Sequence, residues 1–388
     1  MRIAFFVHGY LPWDKYGVPR YIERLANSLV KRGHKIVIIS AGRWGLKRYE
    51  EINSNYKIYR SYGIVPARLS HFVLEIWSLF IYSLWSILKG QRIIKKEKIE
   101  LIHGHTFEWG GVQALLVSKI TNRPCIITIH GSGLARNRLE EKFQRALLQY
   151  CDSIICQRKE VVNKIISWGY NLDKVTILGG AAVDTEKYNP LSTKQNLSPV
   201  KITFIGRLED FRGPELLLDA IPIIIQRTSN VIFQFVGDGP KKISLLKKVK
   251  ELNIEKYVSF LGARNDVDKI LKDSDIYVAS SPYENFSSLA LFEAMSAGLA
   301  IVATDVGETK KLLEKKETML LAKPTPESIA EQLLKLIQNP SLRQKLGRNA
   351  RDLIVEEYSL LKLTKDQENL YIKVFKNYFS GRIYGKSS

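Results

Sequence analysis

Cysteine is scarce in this chain of 388 residues, which holds three: Cys125, Cys151 and Cys156. They form no even framework, and no two stand at zinc-finger spacing with histidines nearby. Free thiols in a reducing compartment are therefore expected. Acidic residues are in short supply too, with 39 Asp plus Glu against 59 Lys plus Arg, a net charge of +20. That balance favours anionic partners: nucleic acid, an anionic membrane or phosphorylated substrates. Helix-turn-helix signatures, zinc fingers and RNP-like aromatic motifs are missing, so charge alone speaks for nucleic acid. The opening residues Met1 to Tyr10 lack the apolar core and small-residue cleavage site of a secretion signal. They read as a strand of a cytoplasmic protein.

What is present is a regular alternation of short apolar runs with amphipathic helical stretches. Strands are expected at 3–7, 35–39, 101–103, 125–129, 153–156 and 175–178, and again at 202–205, 232–236, 258–261, 276–279 and 301–303. Continuous apolar strands separated by helices predict parallel sheets covered on both faces. Residues 184–200 are rich in Pro, Asn, Ser, Thr and Lys without apolar periodicity, and read as a linker. The expected organisation is α/β: doubly wound domains over 1–183 and 201–361, with a last helix at about 362–379 packing back on the first. Ligands in such sheets sit at the carboxyl ends of the strands, so two facing domains would form a cleft.

The most informative stretch runs from Ser281 to Gly298, SPYENFSSLALFEAMSAG. It reads as a strand end, a loop carrying Glu284, then a short helix carrying Glu293. Ser287 or Ser288 suits the helix cap and Gly298 the left-handed position past its end. Helical side chains lean toward the N-terminus, which aims Glu293 at the loop of Glu284. The helix start attracts phosphate through unpaired backbone N–H groups. Two carboxylates beside an anion site suit a sugar nucleotide, with sugar hydroxyls donating to the carboxylates.

Other strand ends carry compatible residues. Gly17 precedes a helix with Pro19 near its start, and His130 ends an apolar strand ahead of Gly131-Ser132-Gly133. Gly206-Arg207 and Arg212-Gly213 put two guanidinium groups in a strand-to-helix turn, and guanidinium suits bidentate phosphate contact. Gly237-Asp238-Gly239 forms a similar turn. His103 and His105 lack further ligands at metal spacing, and Asp273-Ser274-Asp275 lies where a strand begins, so it reads as a solvated turn.

Taken in order, Gly17, His130, Val183-Asp184-Thr185-Glu186-Lys187-Tyr188, Gly206-Arg207-Leu208 with Arg212-Gly213, Gly237-Asp238-Gly239, the Glu284 to Glu293 segment and the block ending Thr304-Asp305-Val306-Gly307 resemble the retaining glycosyltransferases of family 4, with the GT-B fold. The resemblance implies a metal-independent transferase that moves a sugar from a nucleotide sugar, UDP- or GDP-linked, to a glycan or lipid-linked acceptor. It implies catalytic roles for His130, Glu284, Arg207 and Arg212. The implied donor-binding set is Gly17, Gly206, Arg207, Arg212, Gly237, Phe286, Ser287, Ser288, Leu289 and Glu293. No cofactor beyond the donor is implied. The chain departs from the family in carrying one extra residue between the two glutamates, Tyr16 for a Gly before Gly17, and Arg212 for a Lys. The related fold of a sugar-nucleotide 2-epimerase is a rival reading, as is a non-enzymatic basic protein binding nucleic acid or lipid.

Residues 71–88 are apolar and aromatic, and Lys89, Arg92, Lys95, Lys96 and Lys98 follow. An aromatic run beside a basic cluster suits peripheral contact through 71–98 with an anionic membrane, at the inner face of the cell membrane. A buried domain helix is the competing reading.

Overall fold

In a computed structural model the chain forms two compact units. Met1–Ala182 joins Leu363–Ser388 in the first, and Val183–Lys362 makes the second. The structure describes residues 1–12, 18–42, 45–61, 83–130, 138–157, 159–178, 182–190, 199–284, 288–314 and 316–384. Gly17, Phe286, Ser287 and most of the 71–88 stretch lie outside them.

The first unit holds β1 (Arg2–Val7), β2 (Lys35–Ser40), β3 (Tyr49–Asn53), β4 (Tyr56–Arg60), β5 (Leu101–His105), β6 (Cys125–Ile129), β7 (Ser153–Cys156) and β8 (Val175–Ile177). Their order in the sheet is β3-β4-β2-β1-β5-β6-β7-β8. Every pairing is parallel except β3 with β4. Strands β5, β6 and β7 are buried at every residue, as parallel strands covered on both faces must be. The β3–β4 hairpin is an addition to the expected set. Its outer strand, Tyr-Glu-Glu-Ile-Asn, is mostly exposed and has no apolar run to announce it.

The helix Leu360–Tyr384 packs on the first unit from Leu363 onward. Glu368 accepts from Arg32 Nε at 2.7 Å and meets His34 Nε2 at 2.9 Å. Thr364 bonds Ser28 at 2.8 Å, and Tyr371 is fully buried.

The second unit holds β9 (Val200–Ile205), β10 (Val231–Val236), β11 (Val258–Gly262), β12 (Ile276–Ala279), β13 (Ala300–Thr304) and β14 (Leu320–Ala322). All are parallel, in the order β11-β10-β9-β12-β13-β14. The stretch read as a linker contributes to this unit. Tyr188 is buried, and its carbonyl accepts from Ser296 Oγ at 2.7 Å and Arg351 at 3.2 Å. One aromatic anchor and backbone carbonyls hold its described part, residues 184–190. Asp273-Ser274-Asp275 is likewise a clasp, not a free turn. Lys201 Nζ binds Asp273 at 2.7 Å, the Lys201 amide donates to Asp275 at 2.9 Å, and Ser274 is fully buried against Thr203.

Each sheet reverses its strand order once, at β1/β5 in the first unit and β9/β12 in the second. Ligands of open α/β sheets bind outside the carboxyl ends of the strands at such a switch point.

Candidate active site

At the second switch point the turn after β9 meets the turn after β12. Ser280 Oγ donates to the Gly213 carbonyl and Ser281 Oγ to the Phe211 carbonyl, both at 2.7 Å. The Phe211 and Tyr283 rings stack at 6.0 Å. The turn fits this closely because Gly213 has φ +65°, and a Cβ there would lie 2.1 Å from the Ser280 carbonyl oxygen. Gly237 does the same for the neighbouring turn. With φ +137°, its Cα approaches so near that a Cβ would meet the Gly206 carbonyl oxygen at 1.9 Å. These glycines let backbone pack on backbone at the strand ends.

Between the turns stands Tyr277 of β12, buried, with its hydroxyl donating to the Ile205 carbonyl at 3.4 Å. Burial pushes its pKa up, while the Arg212 charge and a hydrogen bond with Ser288 oppose that and Glu293 adds to it. The Tyr277 hydroxyl thus bonds Ser288 and feels the opposite charges of Arg212 and Glu293. The helix Leu289–Ser296 starts there. Of the two expected cap candidates Ser288 holds the N-cap position with extended backbone but makes no side-chain cap bond, and Ser287 lies outside the described residues. The N–H groups of that first turn therefore keep no side-chain acceptor at the cap. Gly298 does take the left-handed position, at φ +73°.

Glu293 is buried, 6% exposed, in the second turn of that helix. Glu284 lies ahead of the helix in the loop, where its backbone amide donates to Ser281 Oγ at 3.1 Å. Its carboxylate rests on Gly307, where a Cβ would come within 2.5 Å of Oε2. Regular helix begins at Leu289, four residues before Glu293. Arg207 is set apart from this group. Its side chain is 73% exposed and pairs with Glu209 at 3.4 Å.

At the first switch point the ends of β5 and β6 bring buried His103 and His105 together with half-buried His130, and the end of β7 adds Gln157. His105 Nδ1 lies 3.1 Å from His130 Nε2, and Gln157 Nε2 lies 3.1 Å from His130 Nδ1. The His105 and His130 rings stack at 5.4 Å, and Tyr21 meets His130 edge-on at 5.2 Å. Behind them His103 bonds Thr128 Oγ1 and Tyr371 Oη, each at 2.7 Å. Burial lowers His130 to about 4 and His103 to about 3, so both are neutral. Histidines 103 and 105 are thus structural parts of this cluster, and sequence reasoning did not connect them with His130. Their strand-end positions and alternate spacing were the available signal.

Two further residues escaped the sequence reading. Arg60, buried on β4, donates to the Leu11 carbonyl at 2.7 Å and tethers the loop that leads toward Gly17. Gly110 lets a helical turn settle on the end of β1, since a Cβ there would lie 2.3 Å from the Phe6 carbonyl oxygen. Among the described residues no group of three or more His, Cys, Asp or Glu is arranged to hold a metal ion.

Comparison with known proteins agrees with this geometry. The family model for glycosyltransferase family 4 matches residues 16–186, and that for glycosyl transferases group 1 matches residues 189–353. The chain is 27% identical to a subunit of the phosphatidylinositol N-acetylglucosaminyltransferase of Arabidopsis thaliana, over 83% of this chain and 71% of that protein. It is 27% identical to an uncharacterized glycosyltransferase of Methanocaldococcus jannaschii, over 96% of this chain and 98% of the other. It is 25% identical to a galactosyltransferase of Escherichia coli named for a GlcNAc-diphosphoundecaprenol acceptor, over 75% of this chain and 80% of the other. Among solved structures, a glycosyltransferase from Rickettsia africae superposes with a TM-score of 0.75 at 17% identity, covering 97% of this chain and 99% of that one. With two Rossmann-like units and glycosyltransferase family matches to both, the chain is a glycosyltransferase of GT-B fold, its second unit matching the group 1 glycosyl transferases and its first family 4.

Proposed function

We propose that this enzyme transfers a sugar with retention of anomeric configuration from a UDP- or GDP-sugar to a lipid-linked or polysaccharide-precursor glycan, without a metal. The observation that carries the reading is the Tyr277 hydroxyl at a switch point, which bonds Ser288 at the start of the Leu289–Ser296 helix and feels the charges of Arg212 and buried Glu293. A guanidinium beside a helix N-terminus suits a diphosphate, and both stabilise the charge that develops on the leaving group. Arg207, on an exposed arm, adds a second cation when it leaves Glu209. Glu293 accepts from ribose hydroxyls, and Glu284 from the donor sugar. Gly206 and Gly237 keep the turns low enough for the phosphates to approach, and Ser288 and Leu289 extend the donor surface; donor-binding roles for Gly17, Phe286 and Ser287, outside the described residues, follow from the family resemblance. His130 contacts the donor sugar near the reacting carbon.

Support for a lipid-linked acceptor comes from the relatives' names and from the described end of the 71–98 stretch. Leu84 and Leu88 are about half exposed there, and Lys89, Arg92, Lys95 and Lys96 follow, all exposed. Apolar side chains beside cations suit the interface of an anionic membrane at the inner face of the cell membrane. No helix among the described residues is long and apolar enough to cross a membrane.

The test is transfer of labelled sugar from a panel of UDP- and GDP-sugars to a polyprenyl-diphosphate-linked acceptor, with the product anomer read by NMR. Transfer with the donor's configuration kept, undiminished by a chelator, is expected. An inverted product, chelator sensitivity or turnover of donor to an epimer with no acceptor present contradicts the reading.

A further inference from the structure

The placement of His130 among its neighbours fixes more than its position. A primary amide nitrogen only donates, so Gln157 Nε2 at 3.1 Å requires a lone pair on His130 Nδ1. In a neutral imidazole the proton then sits on Nε2, where it points at His105 Nδ1, 3.1 Å away. His105 therefore carries its own proton on Nε2. That nitrogen is buried and has no hydrogen-bond partner among the described residues. A buried N–H left unpaired destabilises the fold, which an apolar side chain in its place would avoid. Gln157 is itself held by a hydrogen bond with Tyr21, on the helix Val18–Lys31 that follows the Gly17 loop.

We propose that His105 and Gln157 are positioning residues that hold His130 as one neutral tautomer, with its proton on Nε2, for sugar transfer. The proposal rests on the reading of His130 as a sugar-contacting group. In this state His130 has no free lone pair and cannot act as a base. It offers a single N–H, and a sugar hydroxyl oxygen that reaches Nε2 takes over the bond now made to His105. The site thus selects a donor sugar that presents an acceptor oxygen at that point. The unpaired N–H of His105 is the cost of keeping an acceptor nitrogen turned toward His130.

The experiment reads ring nitrogens directly. Long-range proton–nitrogen NMR of histidine-labelled enzyme at neutral pH should show His130 protonated on Nε2 alone. His105→Leu should give a mixture of tautomers and lower kcat roughly tenfold with KM for the donor nearly unchanged, as removal of a transition-state interaction does. His105→Asn, whose carbonyl oxygen stands near the place of Nδ1, should restore the single tautomer and most of kcat. Gln157→Met should free Nδ1 and mix the tautomers from the other side, which serves if the Leu variant does not fold. Wild-type His130 protonated on Nδ1, or a tautomer and kcat that ignore both substitutions, overturns the proposal. Full activity in His130→Ala overturns the sugar-contact reading instead, and leaves the tautomer result to stand on its own.

Discussion

Gly307 illustrates how one residue fixes another at this site. It sits in the left-handed region at φ +52°, and the Glu284 carboxylate fills the space a Cβ would need. Gly307→Ala should therefore strain the turn by about 1–2 kcal/mol and push Glu284 aside. The expected outcome is a fold that survives urea titration with a slightly earlier midpoint and a turnover reduced tenfold or more. Wild-type turnover in that variant would mean that the Glu284 carboxylate is not held where the reaction needs it. Residue types at the strand ends were legible in the sequence: Arg212, Glu293 and Glu284 are charged groups in positions where an α/β sheet presents ligands. The partners that aim them were not. Nothing adjacent in sequence tells that Gly307 faces Glu284, that Tyr277 collects Arg212 and Ser288, or that His105 bonds His130, because each pair is joined by neighbouring strands.

At the scale of elements the apolar runs gave eleven strands near their observed places, since buried parallel strands need continuous Val, Ile and Phe. The β3–β4 hairpin and β14 were missed. β3 and β14 are edge strands, β3 is exposed along most of its length, and β4 is buried only at alternate residues. The helix Leu360–Tyr384 depends on a polar clasp that the sequence pattern hides. Side-chain bonding with His34 first, and with Arg32 next, holds the Glu368 carboxylate below its ordinary pKa. Such a group stabilises the fold above the unfolded carboxylate pKa and loses that contribution as pH falls through the folded value. Glu368→Gln should cost about 1–2 kcal/mol, discounted for the partly exposed Arg32. Hydrogen exchange should show faster opening of residues near Thr364 and Tyr371. Unchanged protection there would remove the clasp from the account.

At the scale of the whole molecule the buried histidines tie stability to pH. Burial holds His8 and His130 at about 4 and His103 at about 3, against an ordinary value of 6.5. Above about pH 6.5 both folded and unfolded chains carry them neutral, and they contribute no pH dependence. Below it the unfolded chain binds protons that the folded chain refuses, so stability falls with pH until the folded values are reached. The urea midpoint should drop steadily between about pH 7 and about pH 5.5, a range where ordinary carboxylates titrate little. A midpoint that holds level or rises there contradicts the burial of these rings. The net charge of +20 is the other property of the whole chain, and it matches a transferase that handles diphosphates.

The central claim is that the second unit grips a sugar nucleotide through Arg212, the Leu289–Ser296 helix start and Glu293. The direct measurement is the melting temperature of the wild-type protein, Arg212→Ala and Glu293→Ala with UDP-, GDP- and ADP-sugars at saturating concentration. A ligand present at about a hundred times its Kd adds about 2.7 kcal/mol to the folded state, enough to raise Tm by several degrees. The account predicts such a rise for at least one donor in the wild type and its loss in both variants. A wild type unmoved by every donor, or variants that respond as fully as the wild type, would contradict it.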